Sequence, residues 1–198
     1  MATAEQKLVD HTDQRDATRY TLLIRAAKLV SRDGEFLCVI RDASESGVSV
    51  RIFHPIPDQG RMILELQNGD RYSVDPVWQE EVRAGFRFAV KADIARIIAS
   101  PSAFSKRPVR INLTAPAEIE AAGRIEHATF QDISQQGAKV ACRSGFAIDQ
   151  RVKLVAEGME DIFAKVRWRR DGTSGLVFDN TLQFGELARI ALALQNRG

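Results

Sequence analysis

Apolar residues occupy every second position at Val48, Val50 and Ile52, and again at Met62, Leu64 and Leu66. Ninety positions later the alternation returns at Ala138, Val140 and Cys142, and at Val152, Leu154 and Ala156. A period of two is that of a strand with one buried face. The same offset carries identities: Asp42, Ser44, Gly47, Arg61, Trp78, Gly85 and Phe88 stand ninety places before Asp132, Ser134, Gly137, Arg151, Trp168, Gly175 and Phe178. Each copy then changes period. Ile94, Ile97 and Ile98 fall at i, i+3 and i+4, and Leu187, Ile190, Ala191 and Leu194 form a similar stripe, so each copy ends in a helix. Ser100, Pro101 and Ser102 stop the first helix and supply a linker. The chain therefore reads as two copies of one unit joined near residue 101, spanning approximately 13–100 and 102–196.

Each unit contains about six short strand candidates. They are separated by turn signals such as Arg32-Asp33-Gly34, Gln67-Asn68-Gly69-Asp70 and the run from Arg169 to Gly175. Many short strands at close spacing, followed by one helix, predict a mainly β protein of two tandem, six-stranded antiparallel barrels, each with a C-terminal helix that plugs or flanks it. Trp78 and Trp168 are expected on the last strands, filling the barrel cores. The basic run from Lys165 to Arg170 reads as a half-buried strand, with Val166 and Trp168 inward and Lys165, Arg167 and Arg169 in solvent.

Composition bounds the chemistry. The 198 residues are 44% hydrophobic and 27% charged, enough to bury real cores and incompatible with a disordered chain. No run of eighteen apolar residues and no apolar segment behind a basic N-terminus is present, so a soluble, cytoplasmic protein without membrane insertion is expected. Cys38 and Cys142 lie inside apolar runs and read as buried free thiols. His11, His54 and His127 are too scattered to suggest a metal. A net charge of +2 is too small for wholesale coating of nucleic acid. Of 28 basic residues only 7 are lysine. That excess of arginine suits planar, bidentate recognition of phosphate or guanine, and it equally suits the compositional bias of a GC-rich genome.

Two motifs remain. Asp42, Ser44 and Gly47 are spaced DxSxxG immediately before a strand, and Arg15 and Arg19 are spaced RxxxR some twenty residues upstream. Alone, DxSxxG is the chemistry of an Asx or Ser/Thr turn. RxxxR followed by DxSxxG on a small barrel with a closing helix resembles the PilZ domain, a family of receptors for the bacterial second messenger cyclic di-GMP, and the resemblance covers nearly the whole chain as a tandem pair. It implies that Arg15 and Arg19 grip the ligand, while Asp42 and Ser44 bind guanine from the barrel surface. Gly47 then supplies a positive φ or a close backbone approach. An arginine fork matches the O6 and N7 edge of guanine and can equally pair with phosphate. No cofactor is implied beyond the ligand itself. Motility, exopolysaccharide synthesis or biofilm control are the outputs the resemblance offers, through an unidentified protein partner.

The second copy departs from the pattern. Aligning Arg110 with Arg19 places Lys106 four positions earlier, beside Arg107 and Pro108. Lysine meets a phosphate as a point charge but makes no two-pronged guanine contact. A second site would use Lys106, Arg107, Arg110, Asp132, Ser134 and Gly137, and it is expected to be weakened or silent, leaving a partner-facing or inhibitory module. Two other readings stand beside the receptor. One is an interaction module of the same fold that binds no nucleotide. The other is a small barrel that binds RNA or DNA, which requires stacking aromatics interleaved with basic residues on an exposed strand face. With both tryptophans assigned to the core, no DNA or RNA partner is expected. No nucleophile elbow, phosphate loop or metal spacing points to an enzyme, and His54 reads as a structural residue in a proline-bounded turn.

Overall fold

The computed structural model describes residues 20–57, 60–99, 108–143 and 145–196. It is mainly β, with two closed six-stranded antiparallel barrels, each followed by a helix. The first barrel comprises β1 (Tyr20–Ser31), β2 (Gly34–Ala43), β3 (Gly47–Arg51), β4 (Met62–Leu66), β5 (Arg71–Gln79) and β6 (Arg83–Phe88), followed by α1 (Ile94–Ala99). The second comprises β7 (Arg110–Ala121), β8 (Arg124–Ser134), β9 (Gly137–Cys142), β10 (Arg151–Val155), β11 (Ile162–Arg170) and β12 (Thr173–Phe178), followed by α2 (Phe184–Gln195). Strands close in the order β1-β2-β3-β6-β5-β4, and the second barrel repeats that order.

The alternating patterns form the interior. Val48, Val50, Ile52, Met62, Leu64 and Leu66 are buried in the first barrel, and Ala138, Val140, Cys142, Val152 and Leu154 in the second. Ala156 lies past the end of β10 and is only partly buried. Both cysteines are buried and outside any disulfide, and burial pushes the Cys38 thiol pKa well above its ordinary value. The turns fall at the expected signals, with Gly34, Gly69 and Gly172 at positive φ.

Three strands of each barrel carry a bulge, and those on β5 and β11 overturn an expectation. Simple alternation through Val74 and Pro76, or through Ala164 and Val166, carries Trp78 and Trp168 inward. Instead the register shifts between Pro76 and Trp78 and between Val166 and Trp168, so each tryptophan pairs with a glycine on the outer face, Gly85 or Gly175. One extra residue turns every later side chain to the opposite face. Trp78 and Trp168 are accordingly 38% and 42% exposed, and they lie on the penultimate strands. The basic run on β11 is thus half-buried only as far as Val166; Arg167 to Arg170 are exposed.

β2 has apolar neighbours on both faces. Phe36, Cys38 and Ile40 belong to the first core, whereas Leu37 is buried in the second. α2 explains this, because it packs against β7 and also across β2. Its Gln195 accepts from the Glu35 amide at 2.7 Å and donates to the Glu35 carbonyl at 3.0 Å. Glu35 in turn accepts from the Asn112 amide at 2.7 Å and from Asn112 Nδ2 at 2.8 Å. Lys28, 5% exposed, meets Glu35 at 2.8 Å and Glu65 at 3.3 Å, and donates to the Arg110 carbonyl at 3.0 Å. The two barrels are joined by a polar network around the buried Lys28, exposed at its Asn112 end, beside an apolar contact.

Candidate functional site

Strand pairing assembles one row of residues across the outside of the first barrel. Asp42 on β2 stands opposite Ser49 on β3, Ser49 opposite Gly85 on β6, and Gly85 opposite Trp78 on β5. A carboxylate, a hydroxyl, a bare backbone and an indole therefore lie side by side on four adjacent strands. Trp78 covers Gly85 so closely that an added Cβ there would collide with the indole Nε1. Two residues along β6, Arg87 stands opposite Gly47 on the same face. Arg83 approaches the indole from the other side, its guanidinium carbon 5.9 Å from the ring centroid.

The DxSxxG residues divide between shape and chemistry. The Ser44 amide donates to the Gly47 carbonyl at 2.8 Å and the Gly47 amide donates to Ser44 Oγ at 3.2 Å, closing the turn between β2 and β3. Gly47 has no positive φ; it is glycine because a Cβ would come within 2.7 Å of the Phe86 carbonyl oxygen. The close-approach expectation holds and the positive-φ expectation does not. Asp42 Oδ2 accepts from Ser49 Oγ at 2.8 Å, which fixes the carboxylate and leaves its other oxygen without that bond. Asp42, Ser44, Gly47, Ser49, Trp78 and Arg87 border one depression of about 230 Å³. Arg15 and Arg19 lie outside the described residues.

The equivalent row in the second barrel reads Asp132, Lys139, Gly175 and Trp168. Its turn is preserved, since Ser134 Oγ donates to the Gly137 carbonyl at 3.1 Å and Gly137 again lies under a carbonyl, that of Leu176. Its chemistry is altered. Asp132 is buried and its carboxylate already accepts from Arg110 Nη1 at 2.5 Å, Lys139 replaces Ser49, and Val177 replaces Arg87. Arg110 is the residue two places before Asn112, which pairs with Asp132 as Thr21 pairs with Asp42. That register supports aligning Arg110 with sequence position 19. Lys106 and Arg107 lie outside the described residues.

Ser49, Gly85, Trp78 and Arg87 complete this surface and were not among the expected site residues. A search for repeated positions passes over Arg87, because its counterpart is Val177, and simple alternation buries Trp78. A glycine opposite each tryptophan, Gly85 and Gly175, is the signal that could have revealed exposed rings. His54 plays no part here: its ring packs edge-on against Phe36 at 5.5 Å between centroids. Among the described residues no three His, Cys, Asp or Glu side chains are grouped to hold a metal, and no helix is long and apolar enough to cross a membrane.

This arrangement offers a fixed hydrogen-bond acceptor, a flat aromatic face and a guanidinium. An N–H-bearing planar base carrying a phosphate satisfies all three.

The family model described as PilZ domain matches residues 105–194. No curated protein matches the chain. Among solved structures, the Borreliella burgdorferi PlzA protein in complex with c-di-GMP is similar at 14% identity and TM-score 0.37, over 85% of this chain and 87% of that one. The Bacillus subtilis inhibitor of motility, MotI/DgrA, gives 10% and 0.38 over 89% and 98%. YcgR from Escherichia coli in complex with c-di-GMP gives 13% and 0.32 over 87% and 84%.

Proposed function

Since the PilZ family model matches residues 105–194, most of the second barrel, we propose that the chain is a receptor for cyclic di-GMP and that its ligand site is on the first barrel, within a unit spanning residues 13–100. The observation that carries this reading is the single row of Asp42, Ser49, Gly85 and Trp78 with Arg87 beside it. In the proposed complex the Asp42 carboxylate accepts the N–H groups of a guanine, and Trp78 offers that base a stacking face. Arg87 meets a phosphate. Arg15 and Arg19, immediately before β1 in sequence, supply the forks for the remaining base edge and phosphate. Ser44 and Gly47 set the shape of the turn that positions Asp42. The protein acts as a binding module rather than an enzyme, in the cytoplasm, and its output passes to a protein partner.

Fixing roughly five residues around Arg15 costs about 1–2 kcal/mol each in backbone entropy, which charge-assisted bonds to the ligand must exceed. Micromolar affinity corresponds to about 8 kcal/mol net. The ordered segment and the bound dianion then change the surface that a partner reads.

A silent second barrel, spanning residues 102–196, has its own support. Arg110 occupies the Asp132 carboxylate, and the positions of Ser49 and Arg87 hold Lys139 and Val177. Isothermal titration of the full chain with cyclic di-GMP tests both statements. Binding at the micromolar level or tighter, lost in Arg15→Ala/Arg19→Ala and unaffected by Arg110→Ala, is expected. No binding by the wild type would leave a PilZ-type interaction module that recognises protein alone. Loss in the Arg110 variant, with the Arg15/Arg19 variant intact, would move the site to the second barrel.

A further inference from the structure

The second barrel presents a surface that the receptor reading does not use. On β11 the bulge leaves Phe163, Lys165, Trp168 and Arg170 on the outer face, with Val177 of β12 directly opposite Lys165. Phe163 is 63% exposed and Trp168 42%. Arg167 is the bulged residue between the cations and is also exposed.

The first barrel is an internal control for what the fold itself demands. At the matching positions β5 and the turn after it carry Ser73, Asp75, Val77 and Glu80, where the second barrel has Phe163, Lys165, Arg167 and Arg170. One side has acidic or neutral residues, the other cations and a ring. Both barrels close with the same strand order, so neither the charge nor the exposed phenyl is required for folding.

We propose that the outer face of β11 and β12 binds single-stranded nucleic acid. Phe163 and Trp168 stand about 15 Å apart along the strand, with Lys165 and Arg167 between them. Separate flat rings with intervening cations match a strand of alternating bases and phosphates. A single apolar anchor from an acidic protein would need one continuous patch, whereas here the rings are divided by charge. The indole lies flat over Gly175, so it is held as a platform. Competing intramolecular pairs are weak and exposed: Arg167 is 4.0 Å from Asp149, Arg170 is 3.3 Å from Asp171, and Arg151 on neighbouring β10 is 3.9 Å from Asp179. This surface stands or falls independently of cyclic di-GMP binding.

The test is fluorescence anisotropy of the full chain with labelled oligo-uridine and oligo-thymidine of about twelve nucleotides, at about 50 mM salt. Micromolar binding is expected. With about three phosphates neutralised, affinity should fall about twenty-fold between 50 and 200 mM salt. Phe163→Ala and Trp168→Ala should each weaken binding at least about five-fold. Lys165→Asp/Arg170→Glu, which installs the first barrel's own residues and leaves the rings untouched, should weaken it further, and Val90→Ala, at an exposed first-barrel position outside both surfaces, should change nothing. Circular dichroism checks that each variant is folded. No binding, or binding that ignores Phe163 and Trp168 in folded variants, overturns the proposal. So does equal competition by polyglutamate, which would make the face a site for an acidic protein.

Discussion

Gly85 has the same physical task as Gly175: each is the floor under an indole that a bulge has turned outward. Gly85→Ala therefore has no room for its methyl unless Trp78 lifts away. The expected cost is about 1–3 kcal/mol in stability, from overpacking against a ring that can only move outward. Under the receptor reading, the same change tilts the stacking face and lowers cyclic di-GMP affinity by about ten-fold, within the range of one base–aromatic contact. Denaturant unfolding and isothermal titration measure the two effects separately. A variant with unchanged affinity would remove Trp78 from the site. Gly47 differs in kind, because the atom it must avoid is the Phe86 carbonyl of an adjacent strand, which cannot move without opening the pair.

Among the elements, α1 is six residues long, too short to stand without tertiary support. Ile94 and Ile97 bury against the first core, and Arg96 forms a fork onto Asp70 in the turn between β4 and β5, at 2.5 and 2.8 Å. The hydrogen bond from Arg96, the largest influence on Asp70, holds its carboxyl below the ordinary value of 3.8. A carboxyl whose folded pKa lies below its unfolded one stabilises the fold above the unfolded value, and that contribution is lost as pH falls through the folded one. Acid titration of the wild type should therefore show stability falling below about pH 4. Asp70→Asn should flatten that part of the profile without altering stability changes at neutral to alkaline pH. An identical acid limb in the variant would show that this fork contributes nothing to the acid response.

For the whole molecule, the contact between barrels turns on Glu35, whose carboxylate meets Lys28, the Asn112 amide and Asn112 Nδ2. Glu35→Ala leaves Lys28 buried with Glu65 as its remaining acid and strips two donors of their acceptor. The expected loss is about 2–4 kcal/mol. Urea unfolding should then separate into two transitions as the barrels uncouple. A single transition with a loss under about 0.5 kcal/mol would make the contact incidental. Much of the fold was legible beforehand. Duplication at an offset of ninety, strand and helix periods, and turn glycines such as Gly69 are local properties, set by backbone sterics and by which side of a strand meets water. The Asp42–Ser44–Gly47 turn was legible for the same reason. The position of a bulge is not local: it depends on how a strand's partner fits against it, so only the closed barrel turned Trp78 and Trp168 outward. Tertiary pairing likewise brought Arg87 beside Gly47 and linked Asp42 to Trp78 across four strands. Burial of Leu37 in the second core had to await α2 and β7, because a strand's second face is covered only when another part of the chain arrives there.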